Sequence, residues 1–345
     1  MATNVELTAE EGNGHFFGYH SDGETSEMQF LTNVRYCPDA GAFNAYRIYG
    51  DLVPAEEFKS AVEEFVATDP SVDHVLYNIH GFNVDPEASF HGASNFAQDH
   101  SDTGYLVIPI SWRNHWGKSP ASYDICRNTM APPAGLQLAR QFDVFKTSVP
   151  VSLMAHSMGN WVTRIFAQNI ENPEVVFENF FSVAADARMD MFGTDFNPAA
   201  PRDQESNGNT ETESAGVYVG IPAIELVENG GYAITNIARH IHVYWNSEDR
   251  ALLFREAMQI SNVEHADRVR KALGRVGDQS KELTTLPYFQ ERVCYHDFST
   301  IIGSSVMMGH SYPWSAATVA EYAARKDETQ LSDDCWESTV SIAVE

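Results

Sequence analysis

Residues Val151–Trp161 read VSLMAHSMGNW. An apolar run, Val151 to Ala155, leads into a short turn around Ser157, and an amphipathic pattern begins directly after it. Met158, Trp161, Val162, Ile165 and Phe166 recur at helical spacing, which gives one apolar stripe to lay against a sheet. A strand that enters a helix through so tight a turn pushes the residue at its tip into a strained backbone conformation, with its side chain standing clear of the sheet edge. Small residues are needed two before and two after that tip, because strand and helix pass close together there. Ala155 and Gly159 meet the need. The helix N-terminus beneath Ser157 offers positive backbone potential where an oxyanion would form, with the Met158 N–H as the donor. Ser157 is therefore the candidate nucleophile.

The same rhythm extends outward. Candidate strands lie at Ala42–Tyr49, His74–Ile79, Tyr105–Ser111, Val149–Met154, Phe180–Ala185 and His240–Trp245. Helical patterns lie at Ala55–Ala67, Gly135–Phe145, Met158–Asn169, Ala251–Gln259 and Ala316–Arg325. Several strands are continuously apolar, as strands covered on both faces are. Strands alternating with helices predict an α/β fold with a mostly parallel central sheet and flanking helices. Residues Asn197–Gly216, NPAAPRDQESNGNTETESAG, are polar and nearly free of large apolar side chains. The excursion from about residue 191 to 235 is expected to form a cap-like insertion over one end of the sheet. Residues 1–28 are read as an N-terminal extension and 29–345 as one domain.

A serine hydroxyl needs a base, the base needs an orienting acid, and the oxyanion needs a second donor. A buried strand ends in His80-Gly81-Phe82-Asn83, where Gly81 admits close backbone approach and the Phe82 N–H is the candidate second donor. His80 is expected to brace that loop. The acid is expected after a later strand, in HIHVYWNSEDRAL, at Asp249; Glu248 and Asp186 are rivals. The base is expected at His310 in MMGHSYPW, ahead of the last helical pattern; His296 and His156 are rivals. His156 should point away from the site if Ser157 points in. Together with His80, Gly81 and His156, Trp112 in SWRNHWG is a candidate pocket residue, because ligand loops gather at strand ends.

The ordered set HGFN, AHSMGN, VYWNSEDRAL, GRVG and GHSYP, preceded by FLTNVRY and YRIYG, resembles the α/β-hydrolase group catalogued as a domain of unknown function, bacterial proteins related to esterases and lipases. The resemblance runs from about Gln29 to Trp314, with the polar insertion outside it. It implies an eight-stranded hydrolase sheet, a Ser157–Asp249–His310 triad, and structural roles near the site for Arg275 and Gly277. Ala155 stands where many such elbows carry glycine, a replacement common among lipase-like relatives. The expected activity is hydrolysis of small carboxylic esters through an acyl-enzyme. The same residues serve thioesters and amides, and a catalytically silent binding protein on this fold is the more distant alternative.

Composition excludes other classes. The 345 residues carry 22 Lys and Arg against 48 Asp and Glu, a formal net charge of −26. That surface repels phosphate backbones and anionic lipid, so no nucleic-acid partner is expected. No segment reaches the roughly 18 uninterrupted apolar residues of a membrane span. The first thirty residues lack the basic start and apolar stretch of a signal peptide, so the expected location is cytoplasmic. Cys37, Cys126, Cys294 and Cys335 are widely separated without a C-x-x-C pair; four reduced thiols are expected, with one or two disulfides as the alternative that an even count allows. His240 and His242 alternate on one strand and are read as sheet histidines. No metal and no cofactor is expected.

Overall fold

A computed structural model describes residues 16–20, 27–38, 46–99, 101–114, 119–187, 230–258, 271–277, 292–302, 307–310, 312–328 and 331. The strands are β1 (Phe16–His20), β2 (Gln29–Pro38), β3 (Tyr46–Val53), β4 (His74–Ile79), β5 (Tyr105–Trp112), β6 (Val151–His156), β7 (Phe177–Val183), β8 (Ala238–Trp245) and β9 (Val293–Asp297). They form one nine-stranded sheet in the order β3-β2-β1-β5-β4-β6-β7-β8-β9. β1–β2 and β2–β3 pair antiparallel, whereas every other neighbouring pair is parallel. The helices are α1 (Ala55–Thr68), α2 (Pro86–Asp99), α3 (Pro120–Ile125), α4 (Ala131–Arg140), α5 (Gly159–Gln168), α6 (Arg250–Met258), α7 (Ser299–Ile302), α8 (Met307–His310) and α9 (Ala316–Arg325).

Every residue of β4 and β5 is buried, as their continuous apolar runs require. Their side chains alternate between two cores. Val75, Tyr77 and Ile79 join Phe58 and Val62 of α1, Leu138 of α4 and the α5 stripe on one face. Leu76, with Met154, Phe181 and Tyr244, meets Val319 and Tyr322 of α9 on the other. Phe145, Phe166 and Phe177 pack ring to ring, with Phe145 centred 5.6 Å from Phe166 and 5.5 Å from Phe177.

The position of the site follows from topology. The chain steps from β4 to β5 on one side and returns to β6 on the other, so the direction of winding reverses around β4. The helices that follow β4 and β6 pack on opposite faces of the sheet, which is the kind of strand end where α/β sheets gather their functional loops.

Several boundaries differ from the sequence reading. The sheet has nine strands rather than eight. β1 lies inside the stretch set aside as an extension, hydrogen-bonded between β2 and β5. The helix expected over Gly135–Phe145 starts earlier, at Ala131, where Pro132 and Pro133 suit the first turn. It stops at Gln141, and Phe142–Phe145 form a separate 3₁₀ turn. Residues 39–45 and most of the cap-like insertion, 188–229, lie outside the described residues; Gly230–Asn236 is a 3₁₀ segment. The expectation of four reduced thiols is corrected: Cys294 is disulfide-bonded, while Cys126 is a free, buried thiol. Among the described residues no helix is long and apolar enough to cross a membrane.

Candidate functional site

Ser157 sits between β6 and α5 with φ +53°, a left-handed backbone that a side-chain-bearing residue adopts only under constraint. The constraint is visible in the hydrogen bonds. Ser157 N–H donates to Val183 O (3.0 Å), and Ser157 O accepts from the N–H groups of Asn160 and Asp186, 3.1 Å each. The Asn160 amide donates to Ala155 O (2.9 Å) and Ser157 O (3.1 Å) and accepts from the Ser182 hydroxyl (2.7 Å). Gly159 is required by close approach: a Cβ there would stand 2.3 Å from Ile79 O.

The structure brings Ser157, His310 and Asp249 into one line. His310 Nε2 lies 2.9 Å from Ser157 Oγ, and His310 Nδ1 lies 2.7 Å from Asp249 Oδ2. Because a carboxylate accepts, Nδ1 carries the proton and Nε2 faces the hydroxyl as an acceptor. Asp249 is 1% exposed and sits in the turn after β8, where its Oδ1 accepts the Leu252 N–H (2.9 Å) at the start of α6. The Asn246 amide donates to Gly309 O (2.8 Å), tying that turn to α8.

The rivals lie elsewhere. Asp186 accepts a short hydrogen bond from the Tyr123 hydroxyl. It also meets Arg255 in a 2.8 Å ion pair that is not aligned as a hydrogen bond. Glu248 is exposed. His296 is buried on β9, 3.1 Å from His242 Nδ1 and stacked on Tyr244. His156 does not point away: its Nε2 lies 3.1 Å from His310 O and its ring is centred 4.9 Å from that of His310. Its pKa falls to about 3, first through burial and then through the neighbouring His310.

The loop after β4 is braced from β5. His80 Nδ1 lies 2.9 Å from Gly81 O, while its Nε2 is 2.9 Å from Ser111 Oγ and accepts the Trp112 N–H at 3.2 Å. Burial lowers the His80 pKa to about 4, which favours the neutral ring, and the Trp112 N–H donating to Nε2 leaves the proton on Nδ1, facing Gly81 O. The Trp112 indole donates to His80 O at 2.9 Å. Trp112 is 1% exposed, so it supports the loop from beneath and is not a wall open to a ligand. Asn114 donates to Gly81 O (2.6 Å) and accepts the Val84 N–H (3.1 Å), spanning the whole HGFN turn. Gly81 must lack a side chain, since a Cβ would stand 2.8 Å from Ser157 Cβ. Phe82 packs edge-on against Tyr123, 5.5 Å between ring centres. Among the described residues no acceptor takes the backbone N–H of Met158 or of Phe82.

GRVG wedges between the ends of β7 and β8. Gly274 N–H donates to Ala185 O (3.0 Å), and Gly274 O accepts the Asn246 N–H (2.9 Å). Arg275 holds Glu256 of α6 with two guanidinium nitrogens, and Gly277 lies against Trp245. Sequence reasoning missed Asn114, Asn160, Asn246 and Tyr123. The first three lie within the motifs SWRNHWG, AHSMGN and VYWNSEDRAL, and that position is the only signal they give.

Among the described residues one group has metal-ligand chemistry: His242, Cys294 and His296, buried, with ligand atoms within 4.8 Å of one another. The Cys294 sulfur is held in a disulfide and the two imidazoles bond each other, so no thiolate is on offer.

No curated protein matches the chain. A family model described as "Alpha/beta hydrolase of unknown function (DUF900)" matches residues 55–323, which run from α1 through α9 and take in the β4 loop, the elbow, Asp249 and His310. With that match laid over a parallel sheet and its strained serine turn, the chain belongs to this family of α/β-hydrolases.

Proposed function

We propose that the chain is a serine hydrolase of carboxylic esters. The observation that carries this reading is the hydrogen-bonded line from Ser157 Oγ through His310 to Asp249, standing on a strained turn above a helix N-terminus. Ser157 Oγ attacks the acyl carbonyl while His310 Nε2 takes its proton. Asp249, which holds Nδ1–H, fixes the tautomer and stabilises the imidazolium that forms. The carbonyl oxygen becomes an oxyanion, received by the Met158 and Phe82 N–H groups, which are worth ~3–4 kcal/mol per donor by comparison with other hydrolases. His310 returns its proton to the leaving alcohol. Water, deprotonated by the same nitrogen, then releases the acid and restores Ser157.

The donors need no reorganisation. Asn114, His80 and Trp112 hold the β4 loop, and Asn160 holds the elbow, so the polar groups already stand where charge would develop. The strain at Ser157 is paid for by the parallel strands around it.

The test is hydrolysis of nitrophenyl esters from acetate to laurate, with Ser157→Ala in parallel and a fluorophosphonate as covalent probe. Turnover by the wild type alone upholds the reading, and the chain-length profile sizes the acyl site. Labelling at Ser157 without ester turnover moves the substrate to thioesters or amides. A chain that neither turns over nor labels is not a serine hydrolase.

A further inference from the structure

His156 is the last residue of β6 and immediately precedes Ser157, yet the chemistry above does not use it. Its Nε2 lies 3.1 Å from the carbonyl oxygen of His310, and a carbonyl can only accept, so Nε2 carries a proton and donates. The bare Nδ1 faces Gly81, where a Cβ would stand 3.1 Å away. The acceptor belongs to the base itself. His310 ends α8, a helix of only four residues, which has little internal hydrogen bonding to hold its end. Its last two carbonyls are instead taken from outside: Gly309 O by the Asn246 amide, and His310 O by His156 and the Tyr312 N–H.

We infer that His156 is a positioning residue for His310, holding the base's backbone through the Nε2–H donor while the tilted ring contact fixes the separation of the two imidazoles. This rests on the reading of His310 as the base. The geometry explains why a histidine suits the place. A side chain leaving the end of β6 must reach across to α8 and present a donor. It must also do so without a charge, because a cation beside His310 would oppose the imidazolium formed in each half-reaction. Burial keeps His156 neutral. The nucleophile's own strand thereby sets the place of the base, so that Ser157 and His310 are registered to each other by one backbone junction.

The test separates donor from ring in the full chain. His156→Phe keeps the ring and removes the donor, while His156→Gln puts an amide nitrogen at the Nε2 place. With nitrophenyl acetate, kcat is expected to fall about fivefold in H156F, the effect of one neutral hydrogen bond, with KM unchanged. H156Q should restore most of the loss. The second readout needs no turnover: the low-field proton resonance of His310 Nδ1–H on Asp249 is expected to be sharp in wild type and H156Q and exchange-broadened in H156F. Wild-type kcat and resonance in H156F overturn the proposal and leave the ring alone responsible, and equal damage in both variants overturns it too, because restoring the donor then restores nothing. An inactive, unlabelled wild type sinks the hydrolase reading instead, and the resonance then decides the positioning role alone.

Discussion

The two arms of the site are held in different ways. The nucleophile arm consists of the turn after β6 and the loop after β4, which leave adjacent parallel strands, β4 buried throughout and β6 buried except at its half-buried last residue, His156. Its geometry is locked by backbone pairing to β7 and by Asn160, Asn114 and Trp112. The acid–base arm hangs from the far side of β7. Asp249 lies in a turn after β8 and His310 at the end of a four-residue helix, joined by side-chain bonds from Asn246 and His156. The sheet fixes where charge would be received; a few side-chain bonds fix where the proton would go. Damage to the first arm should therefore cost stability, and damage to the second should cost rate.

The largest effect tests whether the arms meet. Replacing Ser157 by Ala should lower ester turnover by about 10⁶-fold and abolish fluorophosphonate labelling, while Asp249→Asn should cost about 10⁴-fold with labelling slowed but present. Equal, mild losses in both would break the picture of a working line. Next comes Gly159→Ala, which drives a Cβ against Ile79 O; thermal and denaturant unfolding should show a loss of about 3 kcal/mol or more. An unaltered melting temperature would mean that the elbow is looser than described.

Acid should also find the sheet side. His74, His80 and His296 are buried, with pKa values lowered to about 4, about 4 and about 3, mainly by burial. Each stays neutral in the fold while the unfolded chain takes up protons below the ordinary histidine value of 6.5. Their contribution is complete above that value and is lost as pH falls toward the folded values, by about 2 kcal/mol for each group at about pH 5. Denaturant midpoints measured across this range should fall steeply; a flat profile contradicts the neutral assignment. The smallest effect belongs to the other arm. Asn246→Leu, which frees Gly309 O, should reduce kcat roughly fivefold, about 1 kcal/mol, with a smaller relative change in melting temperature. A variant that unfolds with kcat intact would reverse the contrast.

What could be read from the sequence follows the same division. The elbow was legible because strand, turn and helix are contiguous, and hydrophobic spacing reports contiguous structure well. β4, β8 and α9 were legible for the same reason. β1 was not: FFGYH is only five residues long, and of its two partners one, β5, begins almost ninety residues later. α2, PEASFHGASNFAQD, carries only a thin stripe of Phe90, Ala93, Phe96 and Ala97 among small and polar residues, too weak to announce a helix. Asp249 and His310 could be nominated from turn position and resemblance, but their rivals were separable only by contacts. Asp186 is a plausible acid in one dimension and lies against Arg255 and Tyr123 in three. The bracing of His80 by Ser111 and Trp112, and of Gly81 by Asn114, links residues more than thirty positions apart, and no local pattern encodes it.

The disulfide at Cys294 bears on how the protein is handled. Cys294 lies on β9, the last strand at its end of the described sheet, beside the buried pair His242 and His296. A dithiol added during purification would cut a covalent link rooted in that strand while leaving the buried Cys126 thiol as it was. Preparations made with and without reductant are thus two different molecules. Their difference in melting behaviour would measure what the link contributes, on the order of 2–5 kcal/mol where such bonds have been removed from small domains.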